Sequence, residues 1–102
     1  MNTTLTTEKL LEELRKQKPL LKERYYVNEI GVFGSFARGE ATDESDIDLL
    51  VTIDAPLEIY IKNKQLLKDY LKKLFKRDVD LANPSSLKPH YRDRILAQAV
   101  YA

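Results

Sequence analysis

The chain has no cysteine, no tryptophan and a single histidine, His90. Without cysteine, neither a disulfide framework nor a thiolate zinc site is available. One histidine excludes a His-rich metal centre. No apolar run approaches the ~20 residues that cross a membrane. The opening Met1-Asn2-Thr3-Thr4 lacks the apolar core of a signal peptide. The protein is therefore expected in the cytoplasm, with no membrane partner. Net charge is scarce too: a formal +1 gives no bulk attraction to nucleic acid, which is not expected as a partner.

What is present fits a small globular protein. A length of 102 residues argues for one domain over 1–102. Such a chain buries roughly 65% of the surface its unfolded form exposes, enough for one core. Apolar residues at 43% set it apart from disordered sequences. The charges are segregated. Glu40, Asp43, Glu44, Asp46, Asp48 and Asp54 fall in a stretch without a basic residue. Lys62, Lys64, Lys68, Lys72, Lys73, Lys76 and Arg77 then face only Glu58 and Asp69. This basic run reads either as a solvated helix face or as a face for an acidic partner.

Along the chain, Thr6 or Thr7 caps a first helix carrying Leu10, Leu11 and Leu14 at helical spacing. Pro19 is expected to stop it and to begin a second short helix over 20–25. A strand over 30–33 leads to a short helix over 35–38 ended by Gly39. After a polar loop comes a buried strand over 47–53. Pro56 starts the longest helix, 57–76, with Leu57, Ile61, Leu67, Leu71 and Leu74 as its core stripe. A third strand covers 78–82, Asn83-Pro84-Ser85-Ser86 breaks it, and a last helix runs over 87–99 through Leu87, Tyr91, Ile95 and Leu96. The expected architecture is α+β, a small mixed three-stranded sheet with helices packed against it.

The chemistry concentrates between Gly34 and Val51. Asp46 and Asp48 are two apart at the head of a strand, so their carboxylates share one face. Paired carboxylates repel unless a proton or cation lies between them. Asp oxygens suit Mg²⁺, which takes its remaining ligands from water and phosphates. Upstream, Gly34-Ser35 enters a helix and offers backbone N–H groups to a phosphate. Downstream, Val79 and Leu81 take one strand face, so Asp78 and Asp80 share the other, and either one supplies a third carboxylate. Arg38 reaches a phosphate or pairs with Glu40 or Asp43. His90 is expected at the surface, Tyr25 and Tyr26 in packing, and Tyr101 in a tail ordered in a complex.

Gly34-Ser35 with Arg38-Gly39, then Ser45-Asp46-Ile47-Asp48-Leu49 and Val79-Asp80-Leu81, resembles the signature of the polymerase-beta-type nucleotidyltransferases. The short chain, and its ending from Ser86-Leu87-Lys88-Pro89 to Ala99-Val100-Tyr101, is similar to the minimal nucleotidyltransferases of prokaryotes. The resemblance implies a nucleotidyltransferase fold. It implies that Asp46 and Asp48 bind two Mg²⁺ ions and, through them, ATP. Asp80 would complete the second metal site and help deprotonate the acceptor. Gly34, Ser35 and Arg38 would hold the triphosphate. That subgroup works as the antitoxin of a HEPN-domain toxin, which implies transfer of AMP to a tyrosine hydroxyl of the partner. The chain is too short for a separate acceptor-binding domain, so a hetero-oligomer in which the partner supplies part of the acceptor site is expected. Two other readings stay open: masking of the partner with the catalytic residues idle, and transfer to RNA or a small molecule.

Overall fold

The computed structural model describes residues 5–102. Met1–Thr4, read above for the lack of a signal-peptide core, lie outside the described residues. Helix α1, Thr7–Tyr25, is capped by Thr6, whose side chain accepts from the Lys9 N–H at 3.1 Å. It does not break at Pro19 as expected. Proline removes only the bond to the carbonyl four residues back. Leu21, fully buried two residues on, holds the helix to the core through that defect. α1 ends when Tyr26 turns left-handed (φ +59°) and its N–H closes on the Leu21 carbonyl.

Strand β1, Val27–Phe33, starts three residues before the expected 30–33 and leads into α2, Gly34–Ala37. β2 is Ile47–Ile53, as expected, and pairs antiparallel with β1. After a 3₁₀ turn, Leu57–Ile59, come α3, Tyr60–Phe75, and β3, Val79–Ala82. β3 pairs parallel with β2, and α3 provides the crossover that parallel pairing requires. A second 3₁₀ turn, Pro84–Ser86, precedes α4, Pro89–Gln98. The sheet has four strands, not the expected three. Val100–Tyr101 forms β4 on the free edge of β1, giving the order β3-β2-β1-β4. Tyr101 is thus part of the sheet rather than a tail. Its ring covers Gly31, where a Cβ would stand 2.9 Å from the ring.

One sheet face carries Ile30, Val32, Ile47, Leu49, Val51 and Val79 against Leu10, Leu14 and Leu21 of α1 and Leu67 and Leu71 of α3. The other face carries Gly31, Phe33, Asp48, Leu50 and Asp80, by strand alternation. Among the described residues no helix is long and apolar enough to cross a membrane.

The core stripe of α3 differs from the expected one. Leu67 and Leu71 are buried and Leu74 is half-buried, but Leu57 is 89% exposed and Ile61 84% exposed. Leu57 lies in the 3₁₀ turn, out of phase with the helix, and six residues from Ile61 to Leu67 turn about 240°. The inward position one turn before Leu67 belongs to Asn63, which is buried. Its amide donates to the Tyr25 carbonyl at 2.7 Å and ties the end of α1 to α3. Asn63→Ala leaves that carbonyl without a partner. Urea unfolding should show a loss of about 1–3 kcal/mol, with the sheet intact by circular dichroism. An unchanged midpoint would mean that water replaces the bond at no cost.

Candidate active site

Asp46 stands just before β2 and is exposed; Asp48 is the second residue of β2 and is half-buried. The parallel register pairs Asp48 directly with Asp80 on β3, and the Ile47 N–H bonds to the Asp78 carbonyl at 2.9 Å. Neighbouring strands lie about 4.8 Å apart, so the Asp48 and Asp80 side chains leave the same face side by side. Asp78 falls before β3, and its carboxylate goes to Lys72 at 3.4 Å. The alternation that left Asp78 and Asp80 equivalent in the sequence is resolved by the strand pairing. Asp80 is the one beside Asp48.

The Asp48 carboxyl is held above the usual carboxylate range, first by burial, then by the charges of Asp80 and Asp46. Arg38 acts in the opposite sense. Asp46 and Asp80 are themselves exposed, so Asp48 is the one half-buried carboxyl of the three.

Gly34 lies directly against the Asp48 side chain. Its φ is +71°, and a Cβ there would stand 2.2 Å from Asp48 Oδ2. The sequence motif pointed to a close approach of phosphate to Gly34. The structure shows that the Asp48 carboxylate already approaches that closely. Ser35 is half-buried beside it in α2, and its carbonyl accepts the Glu40 N–H at 2.9 Å. Arg38 Nε donates to Glu40 at 2.9 Å, the ion pair anticipated as one of its two options. His90 is exposed and lies against Tyr91, as expected, while Tyr25 is half-buried against Tyr70.

Two residues at this site have no signal in the sequence motif. Gln98, the last residue of α4, places Oε1 3.2 Å from the Gly34 N–H and 3.2 Å from Arg38 Nη1. One neutral carbonyl oxygen thus takes two donors of the Gly34–Arg38 segment. Arg77, counted above in the basic run, donates instead to the carbonyls of Thr42 and Ser45 at 3.0 and 2.9 Å. With Ser45 Oγ accepting from the Thr42 N–H at 2.8 Å, it fixes the loop that delivers Asp46. Neither contact has a spacing rule, because each joins residues thirty to sixty apart.

The donor set is all oxygen and negatively charged, which suits a hard divalent cation. Among the described residues no group of three or more His, Cys, Asp or Glu is already placed to hold a metal ion. Mg²⁺ does not need one, since it is usually held by one or two carboxylates plus substrate phosphates. Burial is the first cause of the raised Asp48 carboxyl, and the part owed to Asp80 and Asp46 would fall if a cation entered.

Residues 14–102 match the family model described as a nucleotidyltransferase domain. The chain belongs to that family. This nucleotidyltransferase is 43% identical over 97 residues to the protein adenylyltransferase MntA of Thermococcus cleftensis, covering 95% of this chain and 96% of the relative. It is also similar to a solved minimal nucleotidyltransferase structure, with a TM-score of 0.78, 31% identity and coverage of 97% and 98% of the two chains. A toxin–antitoxin crystal structure with AMP-PNP matches with a TM-score of 0.67 and 25% identity, over 85% of this chain and 69% of that one. The expected nucleotidyltransferase fold is therefore the observed one, with a fourth strand added to its sheet.

Proposed function

We propose that this nucleotidyltransferase is an antitoxin that moves AMP from ATP to a tyrosine hydroxyl of a HEPN-type toxin in the cytoplasm. The observation that carries the reading is the in-register pair Asp48–Asp80 beside the Gly34 turn, with Asp46 at the strand's head. It is supported by relatives named as a protein adenylyltransferase and as a toxin–antitoxin pair. Asp46 and Asp48 are the residues to hold two Mg²⁺ ions, with Asp80 as the further ligand of the second. Bound there, the ions would supply positive charge to the triphosphate and lower the acceptor's pKa.

The chain's own residues do the rest. Asp80 accepts the proton of the acceptor hydroxyl as its oxygen attacks the α-phosphorus. The new oxygen–phosphorus bond forms as the bond to the β-phosphate oxygen breaks, and pyrophosphate leaves. Gly34 and Ser35 present backbone N–H and hydroxyl to the phosphates, and Arg38 adds a cation to them. Incubation with the adjacent gene's product and ATP labelled at the α- or γ-phosphate tests the reading. The α-label should appear on the partner and the γ-label in pyrophosphate. Label only on RNA or a small acceptor, or none despite full neutralisation, would overturn it.

Gln98 bears on nucleotide affinity. Its Oε1 already takes the Gly34 and Arg38 donors that the phosphates need. Gln98→Ala should therefore tighten binding of a non-hydrolysable ATP analogue about 2–10-fold, the worth of a neutral hydrogen bond no longer displaced. Weaker binding in a calorimetric titration would mean that Gln98 assists the nucleotide instead.

A further inference from the structure

We propose that the apolar and basic face at the start of α3 is the docking surface for the acceptor-bearing protein. The partner presents there an apolar segment edged by carboxylates. This rests on Asp80 being the acceptor end of the site. Leu57 and Ile61 are exposed almost completely, while Ile59 and Leu66, also exposed, line a separate cavity with Arg24, Tyr26 and Asn63. Single exposed apolar side chains are ordinary, but a concentration of them marks an interaction site. A cavity of about 380 Å³ is lined by Tyr60, Ile61, Lys64, Lys68, Asp80 and Leu81. Ile61 and the two lysines thus share one cavity with Asp80.

Charge selects the occupant. Lys64 and Lys68 stand one helical turn apart on the same side of α3. Among the described residues neither has a carboxylate within ion-pair distance, whereas Lys72 is already held by Asp78. Two cations beside large aliphatic side chains complement a protein segment carrying both acidic and apolar groups. A nucleic-acid strand would use aromatic platforms between its phosphate contacts. Here Ile61 and Leu81 form the aliphatic wall of the cavity, and Tyr60, its one aromatic side chain, has its hydroxyl engaged by Asn83 at 2.9 Å. A surface that positions the partner's hydroxyl beside Asp80 also accounts for acceptor choice.

The test uses the full chain, the adjacent gene's product and a non-hydrolysable ATP analogue with Mg²⁺. Ile61→Asp and the double variant Lys64→Glu/Lys68→Glu should each weaken partner binding at least tenfold by calorimetry. Nucleotide affinity of the isolated chain should stay within twofold. Wild-type binding should weaken with added salt, and the double variant should lose that dependence. Ile61→Ala, which changes no charge, should give an intermediate loss, and thermal unfolding checks that all variants are folded. Unchanged partner affinity in these variants would overturn the docking surface, as would a wild-type chain that does not bind the partner. So would self-association of the wild type, or RNA binding, that the variants abolish while partner affinity is kept. If the wild type binds its partner and the variants do not, yet no AMP moves, the transfer reading fails and the docking surface stands.

Discussion

Asp48→Asn is expected to reduce AMP transfer by about 10²–10³-fold or more, the scale on which loss of one charge-stabilising group acts in such centres. Asp48 is the middle of the three carboxylates, paired with Asp80 across the strands and two residues from Asp46. The same substitution should stabilise the metal-free chain at neutral pH. The Asp48 carboxyl is held above its usual range, so the folded state binds its proton more tightly than the unfolded state. Its contribution to stability is then fully present below the ordinary carboxylate range and lost as pH rises through the raised value. At pH 7 the wild type carries the cost of the charge and the asparagine variant does not. The gain in melting temperature should shrink toward acid pH, and Mg²⁺ with nucleotide should stabilise the wild type alone. A variant that loses activity and is also less stable at neutral pH would show a structural role for Asp48 instead. In the metal-free wild type, a titration followed by NMR should place the Asp48 carboxyl above an ordinary aspartate, and Arg38→Gln should move it higher still, since Arg38 draws it down.

Gly34→Ala should have the other large effect. Gly34 has φ +71°, and its ideal Cβ would fall 2.2 Å from the Asp48 carboxylate. The left-handed backbone alone costs an alanine about 1–2 kcal/mol. The contact adds more, because either Asp48 or the turn has to move, and a displacement of about 1 Å at a catalytic group is worth about 10²-fold in rate. Gly39→Ala is the matched control. Gly39 has nearly the same φ, +72°, but nothing within 4 Å of a Cβ. It should lose about 1 kcal/mol in urea unfolding and keep its transfer rate within a few-fold. If the two variants behave alike, the approach of Gly34 to Asp48 is not what the glycine serves.

The line between what the sequence disclosed and what it did not follows the range of the interactions. β2 was legible because Leu49, Leu50 and Val51 make a continuous apolar run bounded by Asp46 and Asp54. Asp48 was legible because strand alternation is a local rule, whereas Asp46 stands just before β2, outside that rule. Alternation left Asp78 and Asp80 open, and only the family resemblance favoured Asp80, since the pairing depends on a register set by packing α3 across the sheet. Pro19 misled because a proline rule describes one lost hydrogen bond and not the burial of Leu21 that outweighs it. The stripe of α3 misled because Leu57 and Ile61 are apolar yet lie out of phase with Leu67, and the inward place belongs to a polar residue, Asn63. β4 has two residues and exists only by pairing with β1 at Gly31, where the absence of a side chain admits Tyr101. Gln98 and Arg77 reach their partners only through the closed fold.

The claim on which the account depends is that Asp46, Asp48 and Asp80 together hold two divalent ions when nucleotide binds. Mn²⁺ is an apt substitute, since it shares the oxygen preference of Mg²⁺ and is visible by electron paramagnetic resonance. Titrating Mn²⁺ into the chain with a non-hydrolysable ATP analogue should reveal two ions per chain for the wild type. Asp80→Asn should retain one, and Asp48→Asn should bind none beyond what the free nucleotide carries. An Asp80→Asn chain that still binds two ions with wild-type affinity would contradict the three-carboxylate centre.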